Sequence, residues 1–294
     1  MENARAVIRA GLIGSSIQRS RTPMMHVREG AAQGIDYTYE IFDLDCIPSG
    51  EAVLSSLLSR LERDGYAGVN VTHPCKQQVI ELVSDLSPDA RSIGAVNTVT
   101  FEGGRRLGRN TDWWGFAEAF KVGLPEVSLE RVMLIGAGGA GAAASFALTQ
   151  LGAKHVIVTD LEPKRADVLV NRLNANSAGT RFSVTDDFSR DLMECDGLVH
   201  TTPMGMDKYP GVALDPALLS PKHWVSDVVY VPLETELLRA AQAKGCRVLD
   251  GSGMAVFQAV RAFELFTGVR ADRERMFRHF AAFEKPETAV QPGV

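Results

Sequence analysis

Val132-Met133-Leu134-Ile135-Gly136-Ala137-Gly138-Gly139-Ala140-Gly141 decides how this chain is read. Four apolar residues run into glycines at 136, 138 and 141, the spacing Gly-x-Gly-x-x-Gly. In such a strand–turn–helix, the first glycine admits a tight turn and the second lets a pyrophosphate approach the backbone. The third permits close helix–strand packing, and the helix N-terminus faces the phosphate charge. The uncharged run continues to Ala153, long enough to cross a bilayer, but its glycine cluster marks a turn instead. A buried strand, a turn and a helix are therefore expected.

The next strand, read over His155–Thr159, is closed by Asp160, where this fingerprint places an acid for the cofactor ribose. A carboxylate there accepts hydrogen bonds from the ribose hydroxyls of NAD and repels the 2′-phosphate of NADP. The alternatives are that Asp160 only caps the following helix, or that Lys164 or Arg165 accommodates a phosphate. The expected cofactor is NAD, held by Gly136, Ala137, Gly138, Gly139, Ala140, Gly141 and Asp160.

From this unit outward, a β-α rhythm continues with strands expected at Gly197–His200, Trp224–Tyr230 and Arg247–Leu249, which implies a parallel sheet covered on both faces. Toward the N-terminus a second α/β region is expected. It has strands at Ala6–Ile13, Thr38–Leu44 and Gly68–Thr72, and an amphipathic helix at Glu51–Arg63. Val96–Phe101 and Arg105–Arg109 flank Gly103-Gly104 as a hairpin. Thr22-Pro23 and Pro74 read as helix starts, with Thr22 as N-cap. Helices are expected at Trp113–Lys121, Ser252–Thr267 and Arg273–Phe283, and a frayed tail from Lys285.

The chain has 294 residues, 45% hydrophobic and 23% charged, an ordinary globular balance with room for two cores. Its net charge of −5 and lack of a basic stripe argue against nucleic acid as a partner. Met1–Arg9 has no apolar core of a signal peptide, and Cys46, Cys75, Cys195 and Cys246 form no CxxC pair. Reduced thiols in a cytoplasm fit this pattern. The six histidines show no metal-ligating spacing, so no metal is expected.

Four polar segments carry more chemistry than a scaffold requires. Ser20-Arg21-Thr22-Pro23 sets two hydroxyls at a helix start, suited to a carboxylate or to capping. Asn70-Val71-Thr72-His73-Pro74-Cys75-Lys76 sends polar groups from a strand end, with Lys76 about one turn into the next helix. Gly94-Ala95-Val96-Asn97-Thr98 adds an amide, and Asn110-Thr111-Asp112 lies at a junction where either Asn110 or Asp112 suits an N-cap. His73 is a rival base to Lys76, because an ordinary histidine titrates nearer neutrality. Trp113 and Trp114 read as packing at the junction.

GVNVTHPCK, GAVNT, GRNTD, GAGGAG, TTPMGM and GSGMAVFQA, in this order from about Gly11 to Phe266, resemble the shikimate dehydrogenase family. The resemblance implies an N-terminal α/β substrate domain over 1–112, completed by helices in 253–294, and a Rossmann-type doubly wound NAD domain over 113–252. It implies Lys76 and Asp112 as the catalytic pair. Ser20 and Thr22 would hold the substrate carboxylate with Tyr230 nearby, and Asn70, Thr72, Asn97 and Gln258 the ring hydroxyls. Two features depart from the NADP-using biosynthetic members, which commonly carry serine where Thr22 stands and Asn-Arg-Thr where Asp160-Leu161-Glu162 stands. Both look like the NAD-using quinate/shikimate branch, which often serves catabolism. The expected reaction is reversible oxidation of shikimate to 3-dehydroshikimate, or of quinate to 3-dehydroquinate, by a cytoplasmic monomer or homodimer. A paralogue acting on an amino-substituted shikimate and a non-catalytic NAD sensor are the alternatives. An ordinary lysine titrates near ~10.4, so service as a base needs surroundings that favour the neutral amine.

Overall fold

The computed structural model describes residues 7–47, 53–177 and 179–282. The first region runs β1 (Ile8–Gly14), α1 (Thr22–Ala32), β2 (Tyr37–Asp43), α2 (Val53–Arg63), β3 (Gly68–Val71) and the single turn α3 (Cys75–Gln78). It continues through β4 (Asp85–Leu86), α4 (Pro88–Ile93), β5 (Thr98–Glu102), β6 (Arg105–Arg109) and α5 (Asp112–Gly123). These strands form one sheet in the order β2-β1-β3-β5-β6-β4. β1 lies parallel to β2 and β3, while β5 runs antiparallel to β3 and β6. The hairpin turns at Gly103 and Gly104, both at positive φ (58° and 76°) as a two-residue turn requires.

The second region runs β7 (Arg131–Ile135), α6 (Gly139–Gln150), β8 (His155–Thr159), α7 (Pro163–Asn176), β9 (Arg181–Val184) and α8 (Phe188–Glu194). β10 (Gly197–His200), β11 (Trp224–Asp227), α9 (Glu236–Ala243) and β12 (Arg247–Leu249) follow, then α10 (Ser252–Thr267) and α11 (Arg273–Ala282). Its sheet has the order β12-β11-β10-β7-β8-β9 with every pair parallel, the doubly wound order whose direction switches between β7 and β10. The uncharged run over 132–153 is β7 plus a helix of 12 residues, and no helix among the described residues is long and apolar enough to cross a membrane.

The C-terminal helices return to the first sheet. Val256, Val260, Phe263 and Phe266 of α10, with Met276 and Phe280 of α11, share a buried cluster with Ala10 and Leu12 of β1, Met25 of α1 and Tyr37 and Tyr39 of β2. α5 bridges the two regions: Phe116 and Phe120 pack with Leu134 of β7 and Trp224 of β11. α5 meets α10 so closely that a Cβ on Gly115 would lie 2.7 Å from the backbone nitrogen of Gln258. Trp113 packs edge-on against Phe146 of α6, and Trp114 against Phe257 of α10, so both act as junction packing.

Several expectations change. β9 was not expected, because a four-residue edge strand with alternating exposure carries little signal. The strand read as Trp224–Tyr230 stops at Asp227, whose carboxylate accepts the Val229 N–H at 3.0 Å and turns the chain out of the sheet. The α2 pattern begins within the described residues at Val53, with Glu51 and Ala52 outside them; Phe283 and the tail from Lys285 also lie outside.

Candidate active site

Lys76 stands on the second residue of α3, in its first turn, one turn earlier than its spacing suggested. That helix starts at once because Thr72 is pinned: its N–H donates to Ile13 O at 2.9 Å and its carbonyl accepts the Cys75 N–H at 2.8 Å. Across the cleft, α5 begins with Thr111 at the N-cap position. The capping is done by the Asn110 side chain, whose Oδ1 accepts the N–H groups of Asp112 (3.0 Å) and Trp113 (3.3 Å). The Asp112 carboxylate is thereby spared from capping. Its Oδ2 accepts from Lys76 Nζ at 2.6 Å and its Oδ1 from Asn97 Nδ2 at 2.8 Å. The lysine side chain keeps 21% of its surface exposed and the aspartate 8%, so the pair faces a cleft and is not sealed in a core. Asp112 also sits in the first helical turn, where the backbone dipole favours a carboxylate. His73 is solvent-exposed.

Behind the pair lies a continuous polar layer. Asn97 commits both amide hydrogens, to Asp112 and to Thr111 Oγ1 (3.0 Å), and its Oδ1 accepts from Thr111 N (2.7 Å) and Thr98 Oγ1 (3.0 Å). Asn70 Nδ2 donates to Thr98 Oγ1 at 3.0 Å, and Asn70 Oδ1 accepts from the Tyr39 hydroxyl at 2.7 Å. Asn70 and Asn97 are each 3% exposed. Buried amides so saturated have fixed orientations, because any rotation leaves a donor or acceptor unpaired. Of the two N-cap candidates read in the sequence, Asn110 does the capping; Thr98 and Thr111 stood in the polar segments without a role, and Tyr39 was not singled out. Tyr39 shows only as an inward position of an alternating strand.

Thr22 is the first residue of α1 and not its cap; Arg21 holds the cap position without a side-chain cap bond. The Ser20 hydroxyl accepts the Thr22 N–H at 3.3 Å, so the two hydroxyl-bearing residues form one local turn. Arg21 stacks over Phe280, its guanidinium 4.7 Å from the ring centroid, and Tyr230 packs on the same ring at 6.1 Å. Burial pushes the Tyr230 phenol above its ordinary range; the Arg21 charge opposes this and the Asp112 charge adds to it. Gln258 sits on α10 with its Nε2 donating to Ala255 O at 3.0 Å, and Thr72 lies half-buried with its methyl close to Gly14.

The glycine loop carries out the packing its spacing implied. Gly136 has φ +105° and Thr201 Oγ1 would lie 2.8 Å from a Cβ there; a Cβ on Gly141 would fall 1.9 Å from Gly136 O. Gly138 faces open space, the feature a pyrophosphate needs, and the first amides of α6 have no intrahelical acceptor. Asp160 Oδ2 accepts the Ala137 N–H at 2.7 Å and its Oδ1 the Glu162 N–H at 2.9 Å, so it fastens this loop to the end of β8. The cap of α7 is Glu162. A Cβ on Gly139 would lie 3.4 Å from Lys76 Cδ, which sets the lysine of the first region against the helix start of the second. Among the described residues no cluster of three or more His, Cys, Asp or Glu is placed to hold a metal ion.

The chain as a whole is matched in known proteins. Residues 12–99 fit the shikimate dehydrogenase substrate binding domain, and residues 251–276 the shikimate 5′-dehydrogenase C-terminal domain. The chain is 50% identical over 273 residues to a shikimate dehydrogenase (NADP(+)) of Streptomyces avermitilis, covering 92% of this chain and 94% of that protein. It is 46% identical over 271 residues to a quinate/shikimate dehydrogenase (NAD(+)) of Corynebacterium efficiens, covering 90% and 95%. Quinate dehydrogenase from Corynebacterium glutamicum in complex with NAD superposes with a TM-score of 0.88 at 42% identity, covering 94% of this chain and 99% of that one. Fold and sequence agree, and the chain belongs to the shikimate/quinate dehydrogenase family.

Proposed function

We propose that this protein is an NAD-dependent dehydrogenase that interconverts shikimate with 3-dehydroshikimate and quinate with 3-dehydroquinate. The observation that carries the reading is the placement of Lys76, which meets Asp112 on one side and the first turn of the glycine-loop helix on the other. A hydroxyl carbon seated at this point lies between a proton-transfer pair and a dinucleotide cradle. Residues 1–112 with 253–294 form the substrate unit in this reading, and 113–252 the cofactor unit.

Bound NAD supplies the hydride acceptor; the chain's own residues position the alcohol and move its proton. Lys76 Nζ takes the hydroxyl proton during oxidation and returns it to the ketone oxygen in reduction. Asp112, held by Asn97 and by the Asn110-capped helix start, fixes the Lys76 amine and balances its charge. Ser20, Thr22 and Tyr230 hold the carboxylate, and Asn70, Thr72, Asn97 and Gln258 the ring hydroxyls. Asn97 also orients Asp112 through one amide hydrogen.

The open face at Gly138, the close fit at Gly141 and the exposed helix start suit a dinucleotide pyrophosphate. The preference for NAD over NADP rests on Asp160, whose carboxylate stands at the end of β8 where a 2′-phosphate would meet like charge. Asp160→Ala should narrow the NAD-to-NADP ratio of kcat/KM, chiefly by losing NAD affinity. A wild-type enzyme that prefers NADP contradicts the assignment.

A further inference from the structure

The segment Thr201-Thr202-Pro203-Met204-Gly205-Met206 leaves β10 beside the glycine loop, and the catalytic reading does not use it. Its first residue braces that loop directly: Thr201 Oγ1 donates to Ile135 O at 2.8 Å and Gly136 O at 2.9 Å. The Thr202 methyl lies 2.9 Å from where a Cβ on Gly136 would stand. Behind Thr202 runs a buried chain of hydrogen bonds. His200 Nε2 meets the Thr202 hydroxyl at 2.5 Å, His200 Nδ1 meets Asp227 Oδ1 at 2.9 Å, and Thr235 Oγ1 donates to Asp227 Oδ2 at 2.8 Å. His200 and Asp227 are each 1% exposed and Thr235 is fully buried.

The chemistry of these groups fixes the direction of each bond. The Asp227 carboxylate already accepts from Thr235 and from the Val229 N–H, so it accepts from His200 Nδ1–H as well. In the neutral imidazole Nε2 is then the acceptor, and the Thr202 hydroxyl donates to it while its oxygen accepts the Met204 N–H at 3.2 Å. Each group has one arrangement, and the chain ends on the loop that covers Gly136. A central strand needs only apolar packing at His200. A buried His–Asp pair there is costly to desolvate and adds little to stability by itself.

We infer that Thr235, Asp227, His200 and Thr202 form a positioning relay that holds the Thr201–Gly205 turn against the glycine loop, setting the affinity for the dinucleotide and not for the ring acid. This rests on the reading of Gly136–Gly141 as the dinucleotide cradle. Thr202→Val keeps the methyl beside Gly136 and removes the hydroxyl. It should raise the NAD dissociation constant and KM(NAD) by roughly 5–30-fold, the loss expected for one buried hydrogen bond. The kcat at saturating NAD and the shikimate dissociation constant measured without NAD should stay within about twofold to threefold. Thr202→Ser, which keeps the hydroxyl, should restore NAD affinity, and Asp227→Asn should weaken it in the same selective way. Tight NAD binding by Thr202→Val, equal loss of NAD and shikimate affinity, or failure of Thr202→Ser to restore it each overturns the relay. Gly138→Val, which fills the open face of the loop, separates the two ideas. If it abolishes NAD binding while Thr202→Val does not, the relay alone is wrong; if it leaves NAD binding intact, the cradle reading falls too.

Discussion

Lys76 and Asp112 are 36 residues apart and meet at 2.6 Å because Asn110, not Asp112, caps α5. That division of labour sets what each substitution should do. Lys76→Ala removes the proton-transfer group and should lower kcat by a factor on the order of 10²–10⁴. Substrate KM should change much less, as the proposed role of the amine in the transition state requires. Loss of turnover in His73→Ala with Lys76→Ala nearly intact would reassign the base. Thr22 carries a second expectation. Quinate differs from shikimate at the carbon bearing the carboxylate, and in the proposed reading Thr22 sets a methyl and a stiffer χ1 beside that group. Thr22→Ser should raise the shikimate-to-quinate ratio of kcat/KM, within the ~1–3 kcal/mol a methyl is worth. Thr22→Val should weaken both substrates, and an unchanged ratio in Thr22→Ser places selectivity elsewhere. The residue types at the site were legible in sequence because family motifs carry them. Their partners were not: Tyr39, Thr98 and Thr111 reach Asn70 and Asn97 across strands, and no local spacing announces a cross-strand hydrogen bond.

Among the elements, α1 and α11 show how the C-terminal helices are tied to the first sheet. Glu29 on α1 is fully buried. Burial alone would raise its carboxyl, but Arg275 (2.6 and 2.8 Å), the Asp272 N–H and Gln33 hold it below its ordinary value. Three residues earlier, His26 is enclosed by Tyr37, Tyr39, Phe263 and Phe266, with Nδ1 bonded to the Tyr37 hydroxyl at 3.0 Å. Burial lowers its imidazole from 6.5 to about 3, against a small opposing pull from Glu29. Below pH 6.5 the unfolded chain takes up a proton that the folded chain refuses until about 3. Stability therefore falls with acidity across that window and is unaffected by this group above it. At pH 5 the cost is on the order of 2 kcal/mol. Denaturant unfolding at pH 7 and pH 5 should show a smaller acid loss in His26→Phe than in wild type; an equal loss would assign the acid sensitivity to other groups. Long periodic elements such as α10 were legible from apolar spacing. α3 was legible from Pro74 as a helix start, but not its length of a single turn, and β9 was not legible, being a short edge strand.

At the scale of the molecule, two sheets are joined through α5 and α10, and the polar cleft opens where Lys76 approaches the helix start after Gly138. The parallel sheet was legible because strands such as β7 and β8 are apolar runs each followed by a helix, and its doubly wound order was implied by the family resemblance. The mixed order of the first sheet was not legible, since β4 pairs with β6 through two residues of no distinctive pattern. The proposed oxidation of a hydroxylated ring acid with NAD is checked by initial rates of nicotinamide reduction by the wild-type enzyme, with shikimate or quinate paired with NAD or NADP. Turnover of shikimate and of quinate with NAD, each with a higher kcat/KM than with NADP, is the predicted result. No turnover of either acid, or a higher kcat/KM with NADP, would contradict it.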